Sequence, residues 1–299
     1  MKTFKYYFPN KIISTIEGYE LLLRFHEDLA HLRNSNIVIS FKNVSWIEAN
    51  LVAILGAIIE DLEQKGNIIK IIDRVKSAND ILIRNEFLTN YGYQAIDDKF
   101  STQIPYRKFT HEQSEEYNFY IQKELLEKPE FPKHSLKLQK EIKRNIYELF
   151  ENARTHGRCN FIHTCGQFYP TRKKLHITIV DTGDTIIRNV RDYLSTPEKL
   201  SSECIDWAII SGNTTKTGNI SGGLGLGLIF DFITLNEGSI QIISSNGYLE
   251  LRDKKILKND LNFSFNGTIV NLEFDIKNRE TFYHFKDEKF NNIDINNIF

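Results

Sequence analysis

The distribution of apolar residues along the chain predicts alternating strands and helices. Short β-branched runs at 37–41 and 68–72 lie on either side of an apolar run with helical spacing at 51–62. A strand, a helix and a strand in this order predict two parallel strands joined by a crossover helix. We therefore expect residues 1–100 to form a compact α/β domain.

The next part of the chain differs in composition. Residues 101–135 contain three prolines and many charged side chains, and a helical pattern covers 112–126. We predict a helical connector over this range. A second domain is then expected over 136–278, followed by a peripheral, asparagine-rich tail over 279–299.

The second domain begins with a helical run that ends at Gly157. Glu148 and Asn152 are four residues apart, so they lie on one polar face of this helix. A carboxylate can orient a water or hydroxyl nucleophile, and a carboxamide oxygen can complete the oxygen shell of Mg²⁺. The same pair also suits an ordinary solvated helix face, so by itself it leaves both interpretations open. The apolar stripe beside it comprises Ile142, Ile146, Leu149, Phe150 and Ala153.

Three later segments carry further candidate residues. An alternating strand leads to Asp181 and Gly183. A glycine-rich run at 221–227 precedes a helical pattern, and glycines at a helix start expose backbone N–H groups to a phosphate. The last segment is a strand that starts at Gly267 and Thr268.

One hairpin is predicted between the glycine-rich run and the last strand. Residues 239–245 and 248–251 have the composition of strands. Because Asn-Gly is a strong turn signal between two such runs, we expect a tight turn at Asn246 and Gly247.

The four segments, in this order and spacing, resemble the N, G1, G2 and final-strand boxes of the GHKL ATP-binding superfamily. That superfamily comprises gyrase-type ATPases, heat-shock chaperones, histidine kinases and mismatch-repair ATPases. The resemblance implies a two-layer α/β sandwich, the Bergerat fold, over 136–278, with ATP and Mg²⁺ as ligands. The fold class that we expect is therefore α/β throughout.

The resemblance also implies a role for each motif residue. Asn152 would bind Mg²⁺ between the phosphates, and Glu148 would be the general base. Asp181 would accept a hydrogen bond from the adenine amino group, and Gly183 would let the base approach the backbone. Thr268 would support the adenine pocket.

The same resemblance implies that the glycine-rich run wraps the phosphates and that Lys216, in the interval of the ATP lid, contacts one. A Rossmann dinucleotide loop is an alternative for the run, but that fingerprint has Gly-x-Gly-x-x-Gly near a first strand. One departure from the family is Thr185, which stands where the G1 box often has a second glycine. The residues of the run are Gly222, Gly223, Leu224, Gly225, Leu226 and Gly227.

The N-terminal domain resembles a STAS domain, the fold of anti-sigma-factor antagonists. Residues 43–51 stand where that family has its phosphorylatable loop, but the phosphoacceptor serine falls on Ala49 or Asn50 here, and only Ser45 is nearby. We therefore interpret this domain as a scaffold or docking module. Within the GHKL superfamily, Asn-Ala-x-x-His-Gly at 152–157 is most similar to the anti-sigma-factor serine kinases, which act on STAS proteins.

Together these resemblances imply an ATP-dependent regulatory protein that hydrolyses ATP or phosphorylates a serine or threonine of a partner. A STAS-domain protein is the candidate partner. The alternative is a non-catalytic switch, in which ATP orders the lid and changes how the N-terminal domain meets a partner. A sensor histidine kinase is disfavoured, because His134 is not followed by the phosphoacceptor motif of that family.

Composition restricts the remaining classes. The 299-residue chain has a formal net charge of −1, so no broad positive charge for nucleic acid is present. No apolar run is long enough for a membrane span and no secretory segment is recognisable, so we expect a cytoplasmic protein. The irregular spacing of His156, Cys159, His163 and Cys165 favours structural cysteines over a zinc site. The sequence leaves a homodimer open.

Overall fold

The computed structural model describes residues 2–72, 81–96, 101–157, 159–210, 212–213, 215, 227–278 and 281–285. Within these ranges the protein is a mixed α/β structure with open sheets, which confirms the predicted fold class at this coarse level. The strands are β1 (Thr3–Tyr7), β2 (Lys11–Ile12), β3 (Asn36–Ser40), β4 (Trp46–Ile47), β5 (Ile68–Ile72), β6 (Gln103–Thr110), β7 (Lys133–His134), β8 (Phe161–Tyr169), β9 (Lys174–Asp181), β10 (Ser239–Arg252), β11 (Lys255–Asp275) and β12 (Phe282–Tyr283). The α-helices are α1 (Ile16–Leu29), α2 (Val52–Gln64), α3 (Ser114–Tyr120), α4 (Leu136–Asn152), α5 (Ile186–Leu194), α6 (Ser201–Ile209) and α7 (Gly227–Leu235).

Wider, π-helical turns extend two of these helices. They continue α3 over Ile121–Leu126 and α4 over Ala153–Gly157. None of the helices within the described ranges is both long and apolar enough to cross a lipid bilayer.

A small parallel sheet, in the order β1-β3-β5, forms the N-terminal layer. The parallel pairing of β3 with β5 confirms the prediction, whereas β1 and α1 were not predicted. Helices α1 and α2 cover one face of this sheet. Ile37 and Ile39 of β3 and Ile71 of β5 are buried in one cluster with Leu22 of α1 and Ile58 of α2.

A five-stranded antiparallel sheet has the order β10-β11-β9-β8-β6. Its edge strand β6 comes from the range that we predicted as a connector, and α3 corresponds to the helix predicted there. The strand was missed because Pro105 interrupts its pattern. A proline is tolerated here because the strand lies at the edge and its register with β8 shifts between Ile104 and Arg107.

Helices cover both faces of the five-stranded sheet. Ile179 of β9 and Val270 of β11 belong to the core beneath α4 and α7. Their neighbours Val180 and Ile269 belong to the other core, which they share with α1 and α2. Successive side chains of a strand point to opposite faces, so these strands are apolar on both sides. The N-terminal layer is therefore packed onto the sheet as part of a shared core.

Asn50 is the centre of a buried polar network between the N-terminal layer and this sheet. Its side-chain nitrogen lies within hydrogen-bond distance of Ser14 Oγ (3.0 Å), Thr178 Oγ1 (3.1 Å) and Asn271 Oδ1 (3.0 Å). The side chains of Asn50 and Thr178 are fully buried. Polar groups in such a position require hydrogen bonds, so the network restricts how α2 can lie on β9 and β11.

The network continues across the sheet to β10. Asn271 donates to Gln241 Oε1 (2.9 Å), which also accepts a hydrogen bond from the Tyr19 hydroxyl of α1 (2.6 Å). Tyr248 OH lies 3.2 Å from the Gln241 side-chain nitrogen and donates to Glu250 (2.9 Å). Tyr19 of α1 and Asn50, in the turn before α2, are thus hydrogen-bonded, directly or through neighbours, to three strands of the sheet.

The loop that stands at the position of the STAS phosphoacceptor loop also contacts the five-stranded sheet. Glu48 accepts a hydrogen bond from the Ser14 backbone N–H (2.8 Å) and forms an ion pair with Arg172, in the turn after β8. The Ala49 backbone N–H donates to Tyr169 OH (3.1 Å). Ala49 is fully buried, so this part of the loop is inaccessible in the folded protein.

Strands β10 and β11 form a longer hairpin than predicted. β10 continues through Asn246 and Gly247, where its register shifts, and the turn lies at Asp253 and Lys254, which have φ of 52° and 62°. The predicted tight turn at Asn246 and Gly247 was therefore wrong. Gly247 instead lies against α6, where a Cβ atom would approach the Ser201 carbonyl oxygen to 2.8 Å.

We predict that Asn50→Ala lowers the free energy of unfolding by about 2–4 kcal/mol, because it leaves buried partners without hydrogen bonds. Trp46 of β4 and Trp207 of α6 report on the two sides of the network. Each of the backgrounds Trp46→Phe and Trp207→Phe leaves one tryptophan as the fluorescent reporter. Urea unfolding should give coincident transitions in the two backgrounds, and Asn50→Ala should shift both by the same amount. The exposed Asn43→Ala is the matched control and should leave both unchanged. A shift seen only by the N-terminal tryptophan would contradict the shared core.

Candidate functional site

Asp181 ends β9, and its carboxyl group lies at one end of the five-stranded sheet. Its Oδ1 accepts a hydrogen bond from the Gly183 backbone N–H (3.0 Å). Burial raises the pKa of Asp181 to about 7, while hydrogen bonds from the backbone N–H groups of Gly183 and Thr268 act in the opposite direction. The carboxyl group can therefore change its protonation state near neutral pH.

Strand β11 lies very close to the end of β9 at this point. Thr268 is the register partner of Asp181, and Gly267 before it has φ +147°. A Cβ atom on Gly267 would lie 2.0 Å from the Asp181 carbonyl oxygen, so only glycine fits. The Ser244 hydroxyl of β10 donates to the Gly267 carbonyl oxygen (2.8 Å), lies 3.2 Å from Thr268 Oγ1 and accepts from the Ile186 N–H (3.0 Å).

The C-terminal end of α4 reaches the same end of the sheet. The Cys159 thiol donates to the Ala153 carbonyl oxygen (3.4 Å), in the turn that continues α4. Burial, and then the nearby Asp181 carboxylate, raise the pKa of Cys159 to about 12. Cys159 therefore lies between the end of α4 and Asp181. Asn152 immediately precedes Ala153, and Glu148 is one helical turn earlier.

Helix α7 packs against α4. The Ser135 N–H at the start of α4 donates to the Tyr283 carbonyl oxygen (3.0 Å). At the end of α7, the Phe232 ring contacts the Tyr283 ring (5.3 Å between centroids), and Asn236 donates to its hydroxyl (3.4 Å). Tyr283 thus joins the start of α4 to the end of α7. The nine residues of α7 span about 14 Å and the 17 residues of α4 about 26 Å, so Gly227, which begins α7, lies beside the middle of α4.

The structure pairs Thr268 with Asp181 and brings the turn that follows Asn152 close to this end of β9 through Cys159. Glu148 and Asn152 are half-buried near the end of α4. Asp181 ends β9, Gly183 lies two residues later, and Thr268 of β11 is the register partner of Asp181. The remaining predicted residues, except Gly227, lie outside the described residues: Lys216, Gly222, Gly223, Leu224, Gly225 and Leu226.

A cleft of about 670 Å³ opens beside this cluster, lined in part by Thr185, Arg188 and Ser245. The Thr185 hydroxyl caps α5 by accepting a hydrogen bond from the Arg188 backbone N–H (3.1 Å). Arg191, on the same wall, donates to the Lys199 carbonyl oxygen (2.9 Å) and holds the chain after α5 in place. The threonine that departs from the G1 pattern thus starts the helix that forms one wall of the cleft.

The described residues contain no group of three or more His, Cys, Asp or Glu side chains arranged to hold a metal ion. His163 and Cys165, which the sequence offered as possible metal ligands, are buried residues of β8 that form hydrogen bonds with β6. His163 Nδ1 lies 2.8 Å from Tyr106 OH, and the Cys165 thiol donates to the Ile104 carbonyl oxygen (3.6 Å). Burial lowers the pKa of His163 to about 3, so this imidazole is neutral at physiological pH.

Comparison with models of protein families finds no match for this chain. Comparison with curated proteins finds none either. The GHKL and STAS resemblances therefore stay predictions, and the function has to be argued from the geometry of the site.

Two residues of the site were not recognised from the sequence. Ser244 lies within an alternating strand and carries no local signal of its contacts with Gly267 and Thr268. Cys159 was considered only as a structural or metal-binding residue. Its place beside Asp181 depends on the packing of α4 against the sheet, which local sequence does not reveal.

We predict that Asp181→Asn changes the pH dependence of stability. The pKa of Asp181 is about 7 in the folded state, against about 3.9 in an unfolded chain. Between these values the folded state holds a proton that the unfolded state has lost, so this residue's contribution to stability is full below the lower pKa. It falls as the pH rises and is lost above the folded pKa.

The stability of Asp181→Asn relative to the wild type should therefore increase from about pH 4 to about pH 7 and then level off. Urea unfolding of both proteins across this pH range measures the difference between their free energies of unfolding. Groups that titrate in the same way in both proteins do not contribute to this difference. A constant difference across the range would show that the carboxyl group has an ordinary pKa.

Proposed function

We propose that this protein binds ATP with Mg²⁺ and acts as a regulatory protein of the GHKL type. In this proposal residues 136–278 form a Bergerat-fold ATP-binding domain, and the N-terminal layer is a STAS-like module. The bound nucleotide is hydrolysed, or its γ-phosphate is transferred to a serine or threonine of a partner.

One observation carries the proposal: motif segments from α4, β9 and β11 approach one another at one end of the five-stranded sheet. Thr268 of β11 is the register partner of Asp181 of β9, and Cys159 joins Ala153, the residue after Asn152, to the surroundings of Asp181. These elements are far apart in sequence. A nucleotide site built from these motifs requires that they converge. Unrelated polar residues on solvated surfaces would have no reason to lie close together.

The chemistry of Asp181 fits an adenine. Its Oδ1 is oriented by the Gly183 N–H, and the carboxyl group is partly desolvated. An ionised carboxylate only accepts hydrogen bonds, so it pairs with the adenine amino group and not with the guanine carbonyl oxygen. The Thr268 hydroxyl beside it provides a second polar contact for the base.

The residues on α4 fit Mg²⁺ and a general base. Mg²⁺ prefers oxygen ligands and retains several waters, so the Asn152 carboxamide oxygen together with phosphate oxygens makes a suitable set. When bound, the ion would neutralise charge on the phosphates. Glu148, one turn away on the same face, would accept the proton of the attacking water or hydroxyl.

The acceptor of a transferred phosphate would belong to another molecule. Ala49 and Asn50, the positions of the STAS phosphoacceptor, are fully buried, and Asn50 is hydrogen-bonded to β9 and β11. A serine or threonine of a STAS-domain protein is the candidate acceptor.

A non-catalytic, ATP-gated interaction switch is the second candidate function. It is favoured by the buried network, because Thr178 and Asn271 lie on the same strands as Asp181 and Thr268. Nucleotide binding at the strand ends can then bias the N-terminal layer without any turnover.

We predict that Glu148→Ala lowers the rate of phosphate release or transfer from γ-labelled ATP by about 100-fold or more, because it removes the general base. ATP binding should be unchanged. The matched control is Glu151→Ala on the same helix, where the native carboxylate is paired with Arg154. Wild-type protein that binds ATP but forms neither product would favour the switch. Full turnover in Glu148→Ala would remove this residue from the mechanism.

We predict that Asn152→Ala weakens Mg²⁺-dependent ATP binding by at least about tenfold, because it removes an oxygen ligand of the ion. Calorimetric titration with ATP, in Mg²⁺ and in chelator, measures this loss. Asn118→Ala on α3 serves as the control for removal of a helical asparagine. Unchanged Mg²⁺-dependent affinity in Asn152→Ala would exclude the metal-binding role.

A further inference from the structure

Among the described residues, α1 and α2 cover one face of the parallel sheet β1-β3-β5, and no described helix packs on the other face. The opposite side, which we name the outer face, carries the alternate residues of each strand that point away from the helices. In register, Lys5 of β1, Val38 of β3 and Lys70 of β5 form one row across it. The outer face comprises Thr3, Lys5, Tyr7, Asn36, Val38, Ser40, Ile68, Lys70 and Ile72, of which Ser40 at one end is buried.

An open face is unusual for a sheet of this kind. All-parallel sheets occur almost only with both faces covered. Here Ile68 is 58% exposed and Tyr7 is 44% exposed, although both are large and apolar or aromatic. The five-stranded sheet of the same protein has helices on both faces. The outer face therefore has the composition and position of a surface that another element covers.

The charge of the outer face indicates what that element carries. Lys5 and Lys70 flank Val38, and no described carboxylate forms an ion pair with either lysine. Elsewhere in the N-terminal layer lysines do have acidic partners, as in the pair of Lys65 with Asp61. A third ammonium group, that of Lys42, lies 4.7 Å above the Tyr7 ring at the rim. None of the nine outer-face residues is acidic.

The dimensions of the outer face match one helix. Three strands span about 10 Å between the outermost backbones, and a helix with its side chains is about 10–12 Å wide. A helix lying over Val38 would place its apolar stripe on the central strand and its flanks over Lys5 and Lys70. We propose that the outer face docks an amphipathic helix of a partner protein, with carboxylates on both sides of its apolar stripe.

Two other occupants fit less well. A second copy of this chain bound face to face would bring Lys5 and Lys70 against equivalent lysines, and like charges across an interface are unfavourable. A nucleic acid is disfavoured because apolar side chains, Val38 and Ile68, lie between and beside the lysines, whereas phosphate binding uses a continuous basic surface.

The test uses the full chain and two fluorescein-labelled, stapled helical peptides of about 16 residues. Both have the same leucine stripe. It is flanked on both sides by glutamates in one peptide and by lysines in the other. Fluorescence anisotropy should show binding of the acidic peptide that weakens with added salt, and no comparable binding of the basic peptide.

Lys5→Glu combined with Lys70→Glu should weaken binding of the acidic peptide by about tenfold or more and allow binding of the basic peptide. The matched control combines Lys11→Glu with Lys255→Glu, which makes the same charge change at exposed sites outside the outer face. Circular dichroism checks that each variant is folded. If the reversal unfolds the protein, Lys5→Gln combined with Lys70→Gln removes the charges alone and should still weaken binding.

Two results would overturn the proposal. The first is equal affinity of the wild type for both peptides, or equal affinity of the acidic peptide for the wild type and the charge-reversed variant. The second is a wild-type dimer in sedimentation equilibrium that the charge reversal dissociates, which would assign the outer face to a second copy of this chain.

Discussion

The buried amide of Asn50 constrains how the two sheets of this protein are joined. It is fully buried, and its nitrogen contacts Ser14 of the N-terminal layer as well as Thr178 and Asn271 of the five-stranded sheet. The apolar contacts around it provide most of the driving force but little directional preference. A displacement of the helices along the sheet would leave buried polar groups without partners, so the hydrogen bonds specify one arrangement.

Both faces of the five-stranded sheet are covered, and this determines where a binding site can form. Side chains on the faces are buried in two cores, so the polar groups that combine access to solvent with fixed geometry lie at the strand ends. Asp181 and Thr268 occupy such an end, and the paired residues Thr178 and Asn271 are three positions further along the same strands. The buried network and the candidate site are therefore held by the same two strands.

Much of the candidate site was predictable, because its residues occur in short motifs with regular local structure. The helix with Glu148 and Asn152 and the strand that ends at Asp181 follow from periodicity alone. Their convergence was expected only from a family resemblance. The pKa of Asp181 near 7 was not predicted at all, because it depends on burial by residues distant in sequence, including the close approach of Gly267.

The sequence by itself determined the elements whose periodicity is local: β3, α2 and β5 in the N-terminal layer, and the strand β9. Only the tertiary structure decided that the loop containing Asn50 is buried against the five-stranded sheet and that the β10–β11 turn lies beyond Gly247. The physical reason is sequence separation. An alternating or continuous apolar pattern shows that a face is buried, but it does not identify the covering element. For Asn50 that element lies 128 residues away at Thr178.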